Sequence, residues 1–346
     1  MARERVIVKL ALTKVKEALK NIIKVSRYAD SRNPQIADIV DTNLLSLSLK
    51  FMNDTNKLPS LLDEVEIVLS NYQRDNPEEL QGNVETLFED IDNVGFWTVE
   101  NKFDDPFLHY VYPTARALEA LAPREPPKPL IMKGINFLYE WIEKEGFREM
   151  VQDKSKYAVP LMQTAVNTAK NSRGSVKQKA ERIIEEASKF SESKDLEDDI
   201  YAQTVRYTYF VYNGHVLSND EVKLLVNDIN CGIFRRMLTG LEFLSALTFD
   251  LRQDSTDRIL DMLPKFRKQI FDIVQEGEGA VYFASVSESM KHSLNYYQNK
   301  TFARSFFNLM VEESSWISQP IFHPIHISKA LVGTSLLISS RGALRR

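Results

Sequence analysis

The sequence contains a single cysteine, Cys231, among its 346 residues. One cysteine can neither form an intrachain disulfide nor supply a cysteine-rich zinc site, so we expect a reducing compartment. The net charge is also small, at -4 from 44 Lys and Arg against 48 Asp and Glu. The protein therefore has no overall positive charge that would indicate nucleic-acid binding. It also has no large acidic excess, which would be typical of a disordered acidic tail.

Glycine and proline are scarce, with 12 and 13 residues, which argues against an all-β domain with many turns. Long apolar runs are missing too. The hydrophobic stretch 6–12 is interrupted by Lys9, and no run reaches the roughly 18 residues that span a bilayer. We therefore expect a soluble, cytoplasmic protein whose 43% hydrophobic residues bury a sizeable core.

The common catalytic motifs are absent. The sequence has no Gly-x-x-x-x-Gly-Lys-[Ser/Thr], no Gly-x-Gly-x-x-Gly after a strand, no Gly-x-Ser-x-Gly and no His-Glu-x-x-His. Nucleotide hydrolysis, dinucleotide redox chemistry, serine-hydrolase chemistry and zinc proteolysis thus lack their usual residues. His323 and His326, three positions apart, would need further ligands to hold a metal. No catalytic residue, metal or cofactor is predicted.

Helical periodicity dominates what is present. In the first segment Leu12, Val15, Leu19 and Ile22 recur at spacings of 3, 4 and 3, and residues 1–28 hold eight Lys and Arg against two Glu. The pattern is typical of a surface helix with its apolar stripe on the core, which is the preferred interpretation. The alternative is a basic amphipathic helix that meets a membrane surface, nucleic acid or a partner helix.

Two regions are predicted, an N-terminal helical region over 1–93 and a helical-hairpin domain over 94–346, with a proline-rich spacer at 123–129. Residues 92–113 are expected to be irregular but packed against helices, because they are rich in aromatic side chains. Asp104 and Asp105, before Pro106, indicate a turn. The first helix is predicted to end at the break 31–34, another helix to begin near 76, and another to end near 121. Further helices are predicted near 35–53, 58–72, 130–144, 157–170, 175–190, 195–212, 218–227, 233–250, 255–275, 284–311 and 325–339.

One pattern recurs: an aromatic stretch, a polar loop, and a helix that opens with small residues and a cation. It reads Gly95-Phe96-Trp97 then Thr114-Ala115-Arg116, and again Trp316 then Ser328-Lys329-Ala330, with looser forms at 163–165 and 203–206. Helical hairpins that bury their apolar faces against neighbours show such repetition. We predict an all-α array of antiparallel helical hairpins, and leave open whether it curves into a toroid.

The stretches 95–121 and 316–331 resemble the repeats of α/α-toroid proteins, the helical barrels of terpenoid cyclases and protein prenyltransferase β subunits. The resemblance implies a toroid and an enzyme pocket for a hydrophobic or prenyl-type substrate. The chain departs from the cyclase Asp-x-Asp-Asp motif at Asp195-Leu196-Glu197-Asp198, where we expect Ser193 to cap an acidic helix start. A single cysteine and five histidines poorly match the zinc site of prenyltransferases.

The preferred hypothesis is a non-catalytic helical interaction or scaffold protein within a larger complex, because concave helical surfaces bind extended partners. Two alternatives stay open: an enzyme with a toroid-like pocket, and a nucleic-acid-binding accessory protein that uses Arg3–Arg27, Arg235 and Arg236. The predicted binding residues form an aromatic and histidine surface: Trp97, His109, Tyr110, Arg116, Trp316, His323 and His326.

Overall fold

The computed structural model describes residues 2–32, 56–80, 83–88, 91–98, 105–122, 129–197 and 199–215, with single positions at 45, 46, 48, 49, 52, 218 and 334. Of these residues 79% are helical and none lies in a strand, which confirms the all-α class. An isolated antiparallel bridge joins Arg74 and Phe96, whose backbones exchange hydrogen bonds of 2.8 and 2.9 Å.

The chain divides into two compact units. The first comprises residues 1–25, 51–62 and 216–346, and the second comprises 26–50 and 63–215. The division expected at residues 93 and 94 stays a prediction. The predicted helices beyond residue 215 lie outside the described residues.

Helix α1 spans Ala2–Arg32. It ends at Arg32, within the break predicted at Ser31-Arg32-Asn33-Pro34, because a proline disfavours helical geometry in the residue that precedes it. One face of α1 is buried, through Val8, Ala11, Val15, Ala18, Leu19 and Ile23. Exposed lysines lie on another face, so the helix is amphipathic. Of the predicted stripe, Val15 and Leu19 are fully buried and Leu12 is half-buried, while the side chain of Ile22 lies outside those described.

The remaining elements follow in chain order. They are α2 (Pro59–Asn71), a 3₁₀ turn (Pro77–Glu79), α3 (Asn83–Phe88), a π-helix (Phe107–Val111), α4 (Tyr112–Leu121), α5 (Pro129–Glu145), α6 (Phe147–Met150), α7 (Ser155–Asn171), α8 (Gly174–Ser191), a 3₁₀ turn (Lys194–Leu196) and α9 (Ile200–Tyr212). The bounds of α5, α7 and α8 agree with the predictions to within two residues. The irregular region predicted over 92–113 is wrong for 107–113, which is helical.

Within the second unit the helices pack in two rows. Helices α4, α7 and α9 are successive neighbours in one row, and α5 lies beside α8 in the other. Contacts of α4 with α5, of α7 with α8 and of α8 with α9 join the rows. Helices α4, α7 and α9 carry the recurring sequence pattern at 114–116, 163–165 and 203–206. A true repeat or a closed toroid stays a prediction.

Aromatic rings fill the space between the loop 91–98 and α5. The ring of Phe137 lies 4.8 Å from that of Phe88 and 5.4 Å from that of Phe96, measured between centroids. Gly134 lets α5 approach this cluster, since a Cβ there would lie 2.8 Å from Leu118 Cδ2 and 3.1 Å from Trp97 Cζ3. The loop that carries the glycine-aromatic motif is thereby fixed against α4 and α5.

Candidate functional site

The candidate site is the aromatic junction, which we define as residues 94–98 together with 105–118. The backbone bridge to Arg74 holds Phe96, whose ring meets that of Tyr110 edge-on at 5.7 Å. Both rings are buried. The burial of these rings confirms, for the described residues, the prediction that this aromatic-rich stretch packs against helices. Burying each ring stabilises the folded state by about 1.5 to 3 kcal/mol.

Trp97 is fully buried at the centre of the junction. Its indole Nε1 donates to the carbonyl oxygen of Leu69 at 2.8 Å, and its backbone N–H donates to Thr114 Oγ1 at 3.0 Å. Buried Trp N–H groups need such partners, since an unmade hydrogen bond in the interior costs about 1 to 3 kcal/mol. Trp97 therefore ties the loop to α2 and α4, and it lies in the core rather than on a surface.

Asp105 belongs to the junction, and the sequence pattern favoured a turn at this residue over a cation site. Its Oδ1 accepts from the backbone N–H of Phe107 at 3.0 Å and from Gln152 Nε2 at 2.9 Å, while Oδ2 accepts from the Tyr157 hydroxyl at 2.7 Å. The carboxylate thus caps the helix that follows Pro106 and links it to α7. An acid directly before a proline at a helix start is the local signal that identifies the cap.

The π-helix over 107–111 bears two of the predicted binding residues, His109 and Tyr110. Their rings are in edge contact, with centroids 4.4 Å apart. A π-helix is a rare, less favourable backbone form that proteins often retain at functional sites. The Phe107 ring stacks on Tyr157 at 4.3 Å, and Tyr110 meets Phe96, so the π-helix is packed between the loop 94–98 and α7.

Arg116 lies in the interior of α4, every residue of which is buried. Its Nη1 is 2.7 Å from Glu119 Oε2, and the two side chains are only 5% and 6% exposed. The guanidinium also lies 5.2 Å from the centre of the Tyr112 ring. A charge removed from water needs such compensation. Arg116 is therefore part of a buried ion pair.

Helix α7 contains polar side chains whose burial no motif predicted. Gln163, Thr164 and Thr168 are buried, yet Gln163 Nε2 and both threonine hydroxyls form no hydrogen bond within the described part of the chain. Thr164 and Thr168 lie one turn apart on the same helix face. The spacing of four between two threonines in a run of small residues is the signal that sequence reasoning could have used.

Two acids of the segment 195–199, Asp195 and Asp199, form local hydrogen bonds. Ser193 Oγ donates to Asp195 Oδ1 at 2.5 Å, and Arg148 lies 3.5 Å from Oδ2. The Ser193 hydrogen bond and the nearby guanidinium hold the pKa of Asp195 below its usual value. Ser193 is the N-cap residue of the 3₁₀ turn, as predicted, but its hydroxyl bonds Asp195 and makes no capping hydrogen bond to the backbone. Asp199 instead caps α9, accepting from the N–H of Ala202 at 2.9 Å.

Of the predicted binding residues, Trp97, His109, Tyr110 and Arg116 belong to the aromatic junction, and Trp316, His323 and His326 lie outside the described residues. Among the described residues no group of three or more His, Cys, Asp or Glu side chains could hold a metal. In the same part of the chain no helix has the length and apolarity to cross a membrane.

Comparisons with known proteins leave the function to be argued from this geometry. No protein-family model matches the chain, and no curated protein or solved structure matches it significantly.

Proposed function

We propose that the chain is a non-catalytic helical interaction protein that binds a protein partner within a larger complex. The observation that carries this proposal is the packing of α4, α7 and α9 as one row beside α5 and α8. Stacked helical hairpins contact mainly their neighbours along the row, and such rows offer extended surfaces to a partner.

The use of the junction side chains supports the same proposal. Trp97 donates both of its N–H groups to core acceptors, Arg116 pairs with Glu119, and Asp105 caps a helix. Redirecting these groups toward a substrate would forfeit buried hydrogen bonds, each of which is costly to leave unmade. We therefore infer that exposed residues of the helical rows bind the partner.

The exposed side of α5 is the surface we assign to the partner. Cross-helix contacts hold α5 in register with α8, through Lys179 Nζ to Asn136 Oδ1 at 2.7 Å and Arg182 Nε to Glu143 Oε1 at 3.1 Å. A surface fixed in this way loses little conformational entropy on binding. Met132 remains 42% exposed on the same helix, and methionine is enriched at protein interfaces.

The test compares wild type with Met132→Glu, and uses Glu145→Lys as a charge-changing control at another exposed position of α5. Each protein is purified gently from its native cell, cross-linked, and analysed by quantitative mass spectrometry. We expect wild type and the control to recover one polypeptide near stoichiometry, and the Met132 variant to lose about tenfold, as for a substituted hot-spot residue. Circular dichroism establishes that all three are folded.

Two results would contradict the proposal. Equal recovery of the partner by all three proteins would remove α5 as the binding surface. A solitary protein that retains a lipid, nucleotide or metal would overturn the interaction role itself.

A second candidate function is an enzyme with a pocket for a hydrophobic or prenyl-type substrate. The observation in its favour is the π-helix that carries His109 and Tyr110, because this backbone form often marks functional sites. In the same mass spectra this function would appear as a bound small molecule that is lost on His109→Ala. A partner polypeptide without any retained small molecule would count against it.

A further inference from the structure

We propose that the exposed face of α1 docks on an anionic membrane surface. This inference goes beyond the proposed protein partner and does not depend on it. The face is defined by the lysine stripe, Lys9, Lys16, Lys20 and Lys24, at spacings of 7, 4 and 4 residues. At 100° per residue these positions share one side of the helix, and the stripe extends over about 22 Å.

The buried side of α1 fixes the orientation of the stripe. Val15 and Leu19 are fully buried there, with Val8 and Ile23 nearly so. A helix anchored by its apolar face cannot roll without exposing that face to water, at a cost of about 1.5 to 3 kcal/mol for each large side chain. The lysines are therefore presented outward as a fixed row.

The charge of the lysine stripe is only partly compensated by acidic side chains. None of its four lysines forms an ion pair in the part of the chain that the structure describes. The lysines of α8 differ: Lys177, Lys179 and Lys189 lie 3.7, 3.7 and 2.7 Å from Glu181, Glu140 and Glu186. Glu17, exposed beside the stripe, offsets one of its charges. The net positive row is complementary to anionic lipid headgroups.

Two exposed apolar side chains favour a membrane over a nucleic acid as the ligand of this face. Val6 and Leu10 are 56% and 51% exposed and lie one turn apart. Val6 precedes Lys24 by 18 residues, or five full turns, so it shares the face of the stripe. Apolar side chains beside lysines insert between headgroups, whereas phosphate contacts do not use them. The stripe also contains no aromatic ring for base stacking. These features favour the membrane.

The first test measures sedimentation of the full-length protein with phosphatidylcholine vesicles, with and without phosphatidylserine. A triple variant, Lys16→Gln, Lys20→Gln and Lys24→Gln, is compared with a control that removes three exposed lysines elsewhere, Lys170→Gln, Lys177→Gln and Lys194→Gln. Each stripe lysine near an anionic surface contributes about fivefold. We expect the stripe variant to bind phosphatidylserine vesicles about a hundredfold more weakly, and the control to stay within about twofold of wild type.

The second test separates lipid from nucleic acid. Leu10→Ser leaves the stripe charge unchanged and should weaken vesicle binding about tenfold by removing an inserted side chain. Retention on a DNA or RNA oligonucleotide should stay unchanged in this variant. Equal losses in both lysine triples, or equal binding to neutral vesicles, would overturn the proposal. Oligonucleotide binding by wild type without vesicle binding would reassign the stripe to nucleic acid.

Discussion

Gly134 is the position where the packing of the aromatic junction can be tested most directly. An alanine Cβ at this site would lie 2.8 Å from Leu118 Cδ2, 3.1 Å from Trp97 Cζ3 and 3.3 Å from Leu118 Cγ. Leu118 and Trp97 are fully buried, so neither can move aside without displacing other core atoms. The close approach of α5 to α4 therefore requires glycine here.

The expected magnitude follows from two opposing terms. Overpacking a filled core lowers the free energy of unfolding by about 1 to 3 kcal/mol. Replacing glycine by alanine within a helix raises it by about 1 kcal/mol. Gly134→Ala should thus lower the free energy of unfolding by about 1 kcal/mol. In a Leu118→Ala background the contact with Leu118 Cδ2 is absent. Gly134→Ala should then raise the free energy of unfolding by up to about 1 kcal/mol.

The assay is a double-mutant cycle from urea denaturation followed by circular dichroism. Gly134→Ala and Leu118→Ala should show a coupling of about 1 to 3 kcal/mol, well above the error for independent sites. Gly146→Ala is the matched control, because no heavy atom lies within 4 Å of a Cβ built there. Gly146→Ala should be destabilising, because the backbone at this residue has a positive φ of 89°. Its effect on the free energy of unfolding should nevertheless add to that of Leu118→Ala. Additivity of the Gly134 pair within about 0.5 kcal/mol would refute the packing argument.

Three further predictions concern other buried or half-buried groups. In urea denaturation, Arg116→Met should lower the free energy of unfolding by about 3 to 5 kcal/mol, because it removes the guanidinium that pairs with the buried carboxylate of Glu119. Adding Glu119→Leu should restore most of this loss, and equal losses in the single and double variants would contradict the prediction. Burial and the Glu181 hydrogen bond raise the pKa of Tyr212 to about 12, so the unfolded chain loses this proton first, near pH 10, and stability falls between about pH 10 and 12. The pKa of Tyr212 is measured from the difference between the absorbance titrations of wild type and Tyr212→Phe. A midpoint near pH 10 for this residue would contradict the prediction. Thr168→Val should be neutral or stabilising, because the buried hydroxyl it removes has no hydrogen-bond partner in the described part of the chain. A thermal melt that shows a clear loss of stability would mean that the hydroxyl is bonded.

Local signals explain where sequence reasoning succeeded. The bounds of α5, α7 and α8 agree with prediction because Pro129, Gly174 and similar breaks act on the adjacent turn. The end of α1 before Pro34 has the same origin. Asp105 is a local cap as well, but its bonds to Gln152 and Tyr157 join residues 47 and 52 positions away. No short-range pattern contains those partners, which is one reason why the helical part of 92–113 was missed.

The sequence by itself determined the all-α class, because the 3.6-residue period and the breaks between helices are properties of neighbouring residues. It also marked Trp97 and Arg116 as unusual. Only the tertiary structure decided that both lie in the interior, and that the Ser193 hydroxyl serves Asp195. Burial and pairing depend on chain segments distant in sequence, such as Leu69 for Trp97. A side chain's chemistry can be read from its letter, but its partners are set by the packing of the whole unit.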